Sequence, residues 1–160
     1  MKLFWILCLL IPILIVGGCQ VRTRAEPQTL ETGFYKVYPI GKVEKKEGRT
    51  YIVLDKKYVA GLKGLEKQSY VHVVYWFDQN DTPEKRAVLQ VHPRGDMSNP
   101  LAGVFATHSP FRPNLIAISK CDIIAINKNV IEIKDIDAFD GSPVLDLKGD
   151  FLGSVNSDTQ

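Results

Sequence analysis

The feature that most constrains this chain is a succession of short β-type runs, each broken by turn residues, from residue 34 onward. Phe34–Val43, Thr50–Leu54, Tyr70–Phe77, Ala87–Val91, Gly103–Ala106, Ile116–Ile126, Val130–Ile136 and Pro143–Leu147 are rich in β-branched and aromatic residues. Gly, Pro, Asn and Asp separate them, which is the punctuation of strands and not of helices. Tyr70–Phe77 (YVHVVYWF) is almost continuously apolar and reads as a strand buried on both faces. Asn127-Lys128-Asn129 between two β-branched runs predicts a hairpin. Only Lys57–Lys67, with Val59, Leu62 and Leu65, has a short helical spacing, and Gly61 and Gly64 weaken it. Many short strands with little helix predict a mainly β fold. Closure removes exposed edges, so the expected architecture is a small closed β-barrel of about seven strands.

The N-terminus is different in kind. Lys2 precedes an apolar run from Leu3 to Val16, and Gly17, Gly18 and Cys19 follow. A positive start, an apolar middle and a small-residue end make a signal peptide. Val16-Gly17-Gly18-Cys19 also resembles a bacterial lipobox, with Cys19 as the lipidated residue. The run is short for a membrane span of about 20 residues. Arg22 and Arg24 beyond it oppose export, while Lys2 opposes them. Residues 1–19 are therefore expected to be a leader, either a lipoprotein signal or an uncleaved anchor. The protein is then membrane-associated, or cytoplasmic if the leader is unused. Residues 20–33 are polar, contain Pro27 and read as a linker to one domain over residues 34–160.

Composition excludes more than it selects. Formal net charge is +2 over 160 residues, so any nucleic-acid role rests on local arrangement and not on total charge. Cys121 is the single cysteine of the domain and reads as a buried small residue. His72, His92 and His108 have no metal-ligand spacing, so no metal is expected. Two polar loops stand out. His108-Ser109-Pro110-Phe111-Arg112-Pro113-Asn114 is stiffened by two prolines. There Arg112 is suited to clamp a phosphate or carboxylate, and Asn114 to read an amide or base edge. The alternative is a Pro-rich corner with Arg112 exposed. Asp135 to Asp146 holds four carboxylates, Asp135, Asp137, Asp140 and Asp146, around the Asp140-Gly141 turn. They are suited to ribose hydroxyls or a cationic sulfonium, or else form a solvated turn.

Several ordered motifs add a family resemblance over about Tyr38 to Lys148. They are Pro39-Ile40-Gly41, Gly61-Leu62-Lys63-Gly64-Leu65-Glu66 with the following Val71–Phe77, His92-Pro93-Arg94-Gly95, Gly103–Thr107 with Ser109–Asn114, and Asp137–Asp146. Together they resemble the TsaA-like (TrmO) family of S-adenosylmethionine-dependent tRNA methyltransferases. The resemblance implies a small β-barrel, usually a homodimer, that binds S-adenosylmethionine. It implies methyl transfer to N6 of threonylcarbamoyladenosine in tRNA. It places the cofactor against Asp78, Gln79, His108, Ile118, Asp135, Ile136, Asp137 and Ala138, with Arg112, Asn114 and Asp140 shaping the pocket or meeting substrate. Departures cluster at the same place. His108 stands where arginine is common, Asp78 where histidine is usual, and Leu115 and Ala117 where the family has proline and glycine. A membrane-anchored binding module without methyl transfer is the second reading of the same features.

Overall fold

The computed structural model describes Gly33 and residues 35–150. The expected leader, Cys19 and the linker lie outside the described residues, apart from Gly33. Eight strands follow in chain order: β1 (Gly41–Lys46), β2 (Arg49–Leu54), β3 (Tyr70–Trp76), β4 (Gln90–Val91), β5 (Ala102–Gly103), β6 (Ile116–Asn127), β7 (Val130–Ile133) and β8 (Pro143–Lys148). Six of them close a barrel in the order β1-β2-β7-β6-β3-β8, and β4 and β5 pair apart from it. All pairings are antiparallel. The barrel thus has six strands and not the expected seven or so. The Ala87–Val91 and Gly103–Ala106 runs form only a two-stranded ribbon, because the segment between them folds on itself. There His92 Nδ1 lies 2.7 Å from the Asn99 carbonyl, and Asn99 Nδ2 donates to the Pro93 carbonyl at 3.0 Å.

Period-two alternation builds the core. Each barrel strand sends at least one small or β-branched side chain inward. Val43, Ile52, Val71, Val73, Ile131, Ile133, Cys121 and Val144 are all buried. Along β3 the inward residues are Val71, Val73 and Tyr75, while His72, Val74 and Trp76 are half-buried. The expectation of burial on both faces is therefore corrected. The apolar residues between the core positions form the outer wall, where Val74 pairs with Ile118 and Trp76 with Ile116. Such cross-strand pairs stabilise a sheet even where water reaches one side.

Three other expectations shift. The first strand begins only at Gly41, so most of Phe34–Val43 lies before it. The helical spacing of Lys57–Lys67 resolves into two 3₁₀ segments, Lys56–Leu62 and Leu65–Lys67, with Gly64 at φ 92° between them. That conformation, costless for glycine, breaks any longer helix. The hairpin turn is as read: Lys128 adopts φ 54°, and Asn129 Nδ2 donates 2.6 Å to the Leu54 carbonyl, tying the turn to β2.

Closure rests on a narrow seam. β1 pairs β8 only at Gly41–Val144 and Lys42–Pro143. Flanking bonds extend it, from Ile40 N to the Val144 carbonyl at 2.8 Å and from Val43 N to the Ser142 carbonyl at 3.0 Å. Gly41 is the tightest point, since a Cβ there would sit 2.3 Å from the Val53 carbonyl oxygen and 2.8 Å from Leu54 Cα. Both neighbours are backbone and cannot move aside without opening the β1–β2 ladder. Gly41→Ala is expected to lower unfolding stability by about 1–3 kcal/mol, as overpacking does. Urea denaturation of the two proteins measures it.

Candidate functional site

The site begins where β7 leaves β6. β6 is twelve residues long and serves two partners in turn. Ile116–Asp122 pair with β3 on one side, and Ile123–Asn127 pair with β7 on the other. After Ile133 the chain donates once more, from Lys134 N to the Asp122 carbonyl at 3.0 Å, and then diverges. Asp135–Asp137 therefore stand away from Ala117–Lys120, and a cavity of about 470 Å³ fills the gap in the wall. The Val130–Ile136 run was expected to be one strand. It ends at Ile133, and its last residues border the cavity instead.

The gap exposes main-chain groups as well as side chains. Peptide groups along a strand alternate sideways, so residues two apart face the same neighbour. The Asp122 carbonyl faces the β7 side, since it accepts from Lys134, and Ile123 N faces β3, since it donates to the Ser69 carbonyl at 2.8 Å. By this parity the peptide groups of Ile118 and Lys120 face the gap. Ile118 is 46% exposed and its side chain lies on the outer wall. Its place in the site is thus a main-chain one, able to pair with the edge of a planar heterocycle as a missing strand would.

A second hollow of about 330 Å³ adjoins the first. It is bordered by Asp78, Gln79, Lys85, Pro110, Ala138 and Ser142, among others. Tyr75, Phe77, His108 and Asp137 border both hollows and form the waist between them. All eight residues expected at a cofactor pocket, Asp78, Gln79, His108, Ile118, Asp135, Ile136, Asp137 and Ala138, line one hollow or the other. They come from β3's end, β6, the Pro-rich loop and the segment after β7. Among the described residues no three His, Cys, Asp or Glu side chains gather as a metal site would require.

The waist is held from below. Tyr75 is buried and its hydroxyl donates 2.5 Å to the Asp137 carbonyl, with Ser119 Oγ at 3.4 Å. Burial raises the phenol above its usual value, so it stays a neutral donor that positions Asp137. Phe77 packs edge-on against it, 5.5 Å between ring centroids. Ser142, also buried, reaches Asp78 Oδ1 at 3.4 Å.

The Pro-rich loop is wired to itself. Arg112 donates to the carbonyls of Val104 at 3.0 Å, Ile116 at 3.3 Å and Thr107 at 3.4 Å. Its guanidinium is occupied as a loop staple at the edge of the first hollow, so the reading of a free anion clamp is corrected to one of pocket shaping. Thr107 Oγ1 accepts from Ser109 N, and Ser109 Oγ accepts from Phe111 N, fixing the path of the chain around His108. Leu115 is buried with φ 52°, and its carbonyl accepts from Phe77 N at 3.0 Å. Proline, locked near φ −65°, cannot adopt that conformation.

Two expected residues lie elsewhere. Asn114 is exposed and borders neither hollow. Asp140 is likewise outside them, and its Oδ1 accepts 2.8 Å from Lys45 N, a structural clasp on β1. Sequence reasoning missed Tyr75, Phe77, Ser119, Lys85 and Ser142. Tyr75 and Phe77 carried a signal, since they continue the inward parity of Val71 and Val73. Arg86 was also missed. It bonds Asp81 at 2.8 Å and the Pro113 carbonyl at 2.5 Å, and lies 5.3 Å from the Trp76 ring, joining the one-turn helix α1 (Pro83–Arg86) to the Pro-rich loop.

Cys121 is buried on β6, next in the chain to Lys120 at the gap. Burial, with Asp135 and Asp122 adding to it, pushes its thiol up to about 11 from 9.0. A thiol so placed is inert as a nucleophile near neutrality. Because the folded value is raised, the associated stability is fully present below pH 9.0 and is lost as pH rises through about 11. Cys121→Ala is expected to flatten this alkaline loss, on the order of 2 kcal/mol. Urea midpoints at pH 8 to 11 check it, and an unchanged slope contradicts it.

Comparison with known proteins places this arrangement. Residues 34–153 match the family described as the tRNA-methyltransferase O N-terminal domain. A probable S-adenosyl-L-methionine-binding protein of Methanocaldococcus jannaschii is 47% identical over 114 residues, 71% of this chain and 90% of that one. One of Pyrococcus horikoshii is 42% identical over 114 residues, 71% of this chain and 81% of that one. The crystal structure of TrmO from Pseudomonas aeruginosa aligns at TM-score 0.57 with 25% identity, over 82% of this chain and 62% of that protein. A barrel with its wall parted beside a polar waist, together with these likenesses, makes the chain a member of the tRNA-methyltransferase O N-terminal domain family.

Proposed function

We propose that the two hollows hold one molecule of S-adenosylmethionine and that the protein is a methyltransferase. The observation that carries this is the shape of the site. Two compartments meet at a waist bordered by the Asp137 carboxylate, which suits an elongated ligand with a central positive charge. The residues fit such a ligand. The peptide groups of Ile118 and Lys120 are free to pair with a heterocycle's edge, and Asp135 is exposed to accept hydroxyls. Asp78, Gln79 and Lys85 offer both signs of charge at the far end, where an amino acid moiety needs them. When bound, S-adenosylmethionine supplies an electrophilic methyl group. The protein's part is alignment, and rigid placement of the acceptor is worth several orders of magnitude in rate. Tyr75 fixes Asp137, Arg112 fixes the loop that carries His108, and Phe77 gives the waist a flat apolar wall.

The finer reading follows the family: the acceptor is N6 of threonylcarbamoyladenosine in tRNA. Pairing with a second copy belongs to the same reading, and Leu89, Met97, Leu101 and Phe105, all exposed around the β4–β5 ribbon, offer it an apolar surface. The leader carries a separate proposal, lipid attachment at Cys19, which radiolabelled palmitate incorporation into cells would reveal.

Isothermal titration of the full chain with S-adenosylmethionine tests the cofactor. Micromolar binding is expected, and Asp137→Asn, which keeps shape and removes charge, should weaken it about tenfold, the loss of one partly desolvated charge interaction of ~1.4 kcal/mol. No heat of binding at millimolar ligand contradicts the proposal.

A further inference from the structure

Methyl transfer to a nitrogen that carries a hydrogen produces a proton, and the structure has one residue placed to take it. An N6 bearing a carbamoyl group is amide-like. Its lone pair is delocalised into both the carbonyl and the purine ring, so it is a poor nucleophile until the N–H proton leaves. A base at the point of transfer is therefore worth about 10²–10⁴ in rate. This reasoning rests on the methyltransferase reading above.

The point of transfer is the waist, since both compartments open onto it. Four residues border it: Tyr75, Phe77, His108 and Asp137. Phe77 has no titratable group. The Tyr75 hydroxyl is spent on the Asp137 carbonyl, and burial holds it protonated. Asp137 already serves the cationic ligand with its carboxylate. His108 remains. It is exposed, and among the described residues no hydrogen bond engages its imidazole. The loop beneath it is fixed by Arg112, Thr107 and Ser109, so the ring is presented from a firm base. Imidazole is the side chain able to exchange a proton at neutral pH.

We propose that His108 is a catalytic residue, the proton acceptor of the transfer. The acceptor nitrogen forms a bond to the methyl carbon, and the carbon–sulfur bond breaks with its electron pair left on sulfur. The N–H proton passes to the free imidazole nitrogen, giving imidazolium, which then returns it to water through the exposed ring face. The charged residues lining the two hollows that His108 borders are Asp78 and Lys85 from beyond β3, Arg112 from its own loop, Lys120 from β6, and Asp135 and Asp137 from the segment after β7.

The test uses the full chain. Single-turnover transfer of labelled methyl from S-adenosylmethionine to threonylcarbamoyladenosine-containing tRNA is followed from pH 5.5 to 8.5. The rate is expected to rise with one ionisation that coincides with the His108 ring titration, measured by NMR in the complex with S-adenosylhomocysteine. His108→Gln should abolish that limb and slow transfer about a hundredfold or more. The transfer is measured at saturating S-adenosylmethionine, so a change in cofactor affinity does not enter the rate, and added imidazole should partly restore His108→Ala. A His108→Gln protein that keeps both the rate and the pH limb overturns the proposal alone. A wild-type protein that binds S-adenosylmethionine but methylates no such tRNA overturns the acceptor reading and this proposal with it.

Discussion

The structure depends on closing six strands into a barrel through a seam only two residues wide. Gly41 and Lys42 meet Val144 and Pro143, and Pro143 has no N–H to donate. The seam holds because bonds from Ile40 and Val43 extend it and because Gly41 lets β1 lie against β2 without a side chain between them. Once closed, the barrel leaves its interior to Val43, Ile52, Val71, Val73, Ile131, Ile133 and Val144, and the packing of these β-branched side chains sets the register of every strand.

The same economy creates the site. β7 has four residues and cannot follow all twelve of β6, so one side of β6 goes unpaired beside Ala117–Lys120. A sheet edge left open in this way is usually a liability. Here the Asp135–Ala138 segment and the Pro-rich loop flank it, and the unpaired side of β6 faces a hollow of about 470 Å³. The aspartates of that segment are not a cluster in search of a metal. They are divided by role: Asp135 and Asp137 border the hollows, Asp140 clasps β1, and Asp146 accepts from the Leu147 amide at 2.8 Å.

Much of this was legible in the sequence, for physical reasons. The β-branched runs and their punctuation gave the strands, and the Asn-Lys-Asn triplet gave the hairpin. The eight positions expected at a cofactor pocket were named from motif resemblance, and they line two adjoining hollows. What was not legible depended on tertiary partners. Nothing local to Val130–Ile136 says that pairing stops at Ile133, since that is decided by where β6 turns to β3. Nothing local to Arg112 says that three carbonyls will surround it, or that Arg86 will reach Pro113 across twenty-seven residues. The apolar outer residues of β3 hid its alternation, because Val74 and Trp76 pack against Ile118 and Ile116 on the outer wall.

The central claim is that the ligand sits in the breach between β6 and the segment after β7, spanning the waist. Backbone amide NMR of the protein during titration with S-adenosylmethionine tests it most directly. The largest shifts are expected at Ile118, Lys120, His108 and Asp135–Ala138, with the Ile118 amide moving as a group that gains a hydrogen bond. Shifts confined to the opposite end of the barrel, around Tyr58, Leu65 and Gly149, would contradict it.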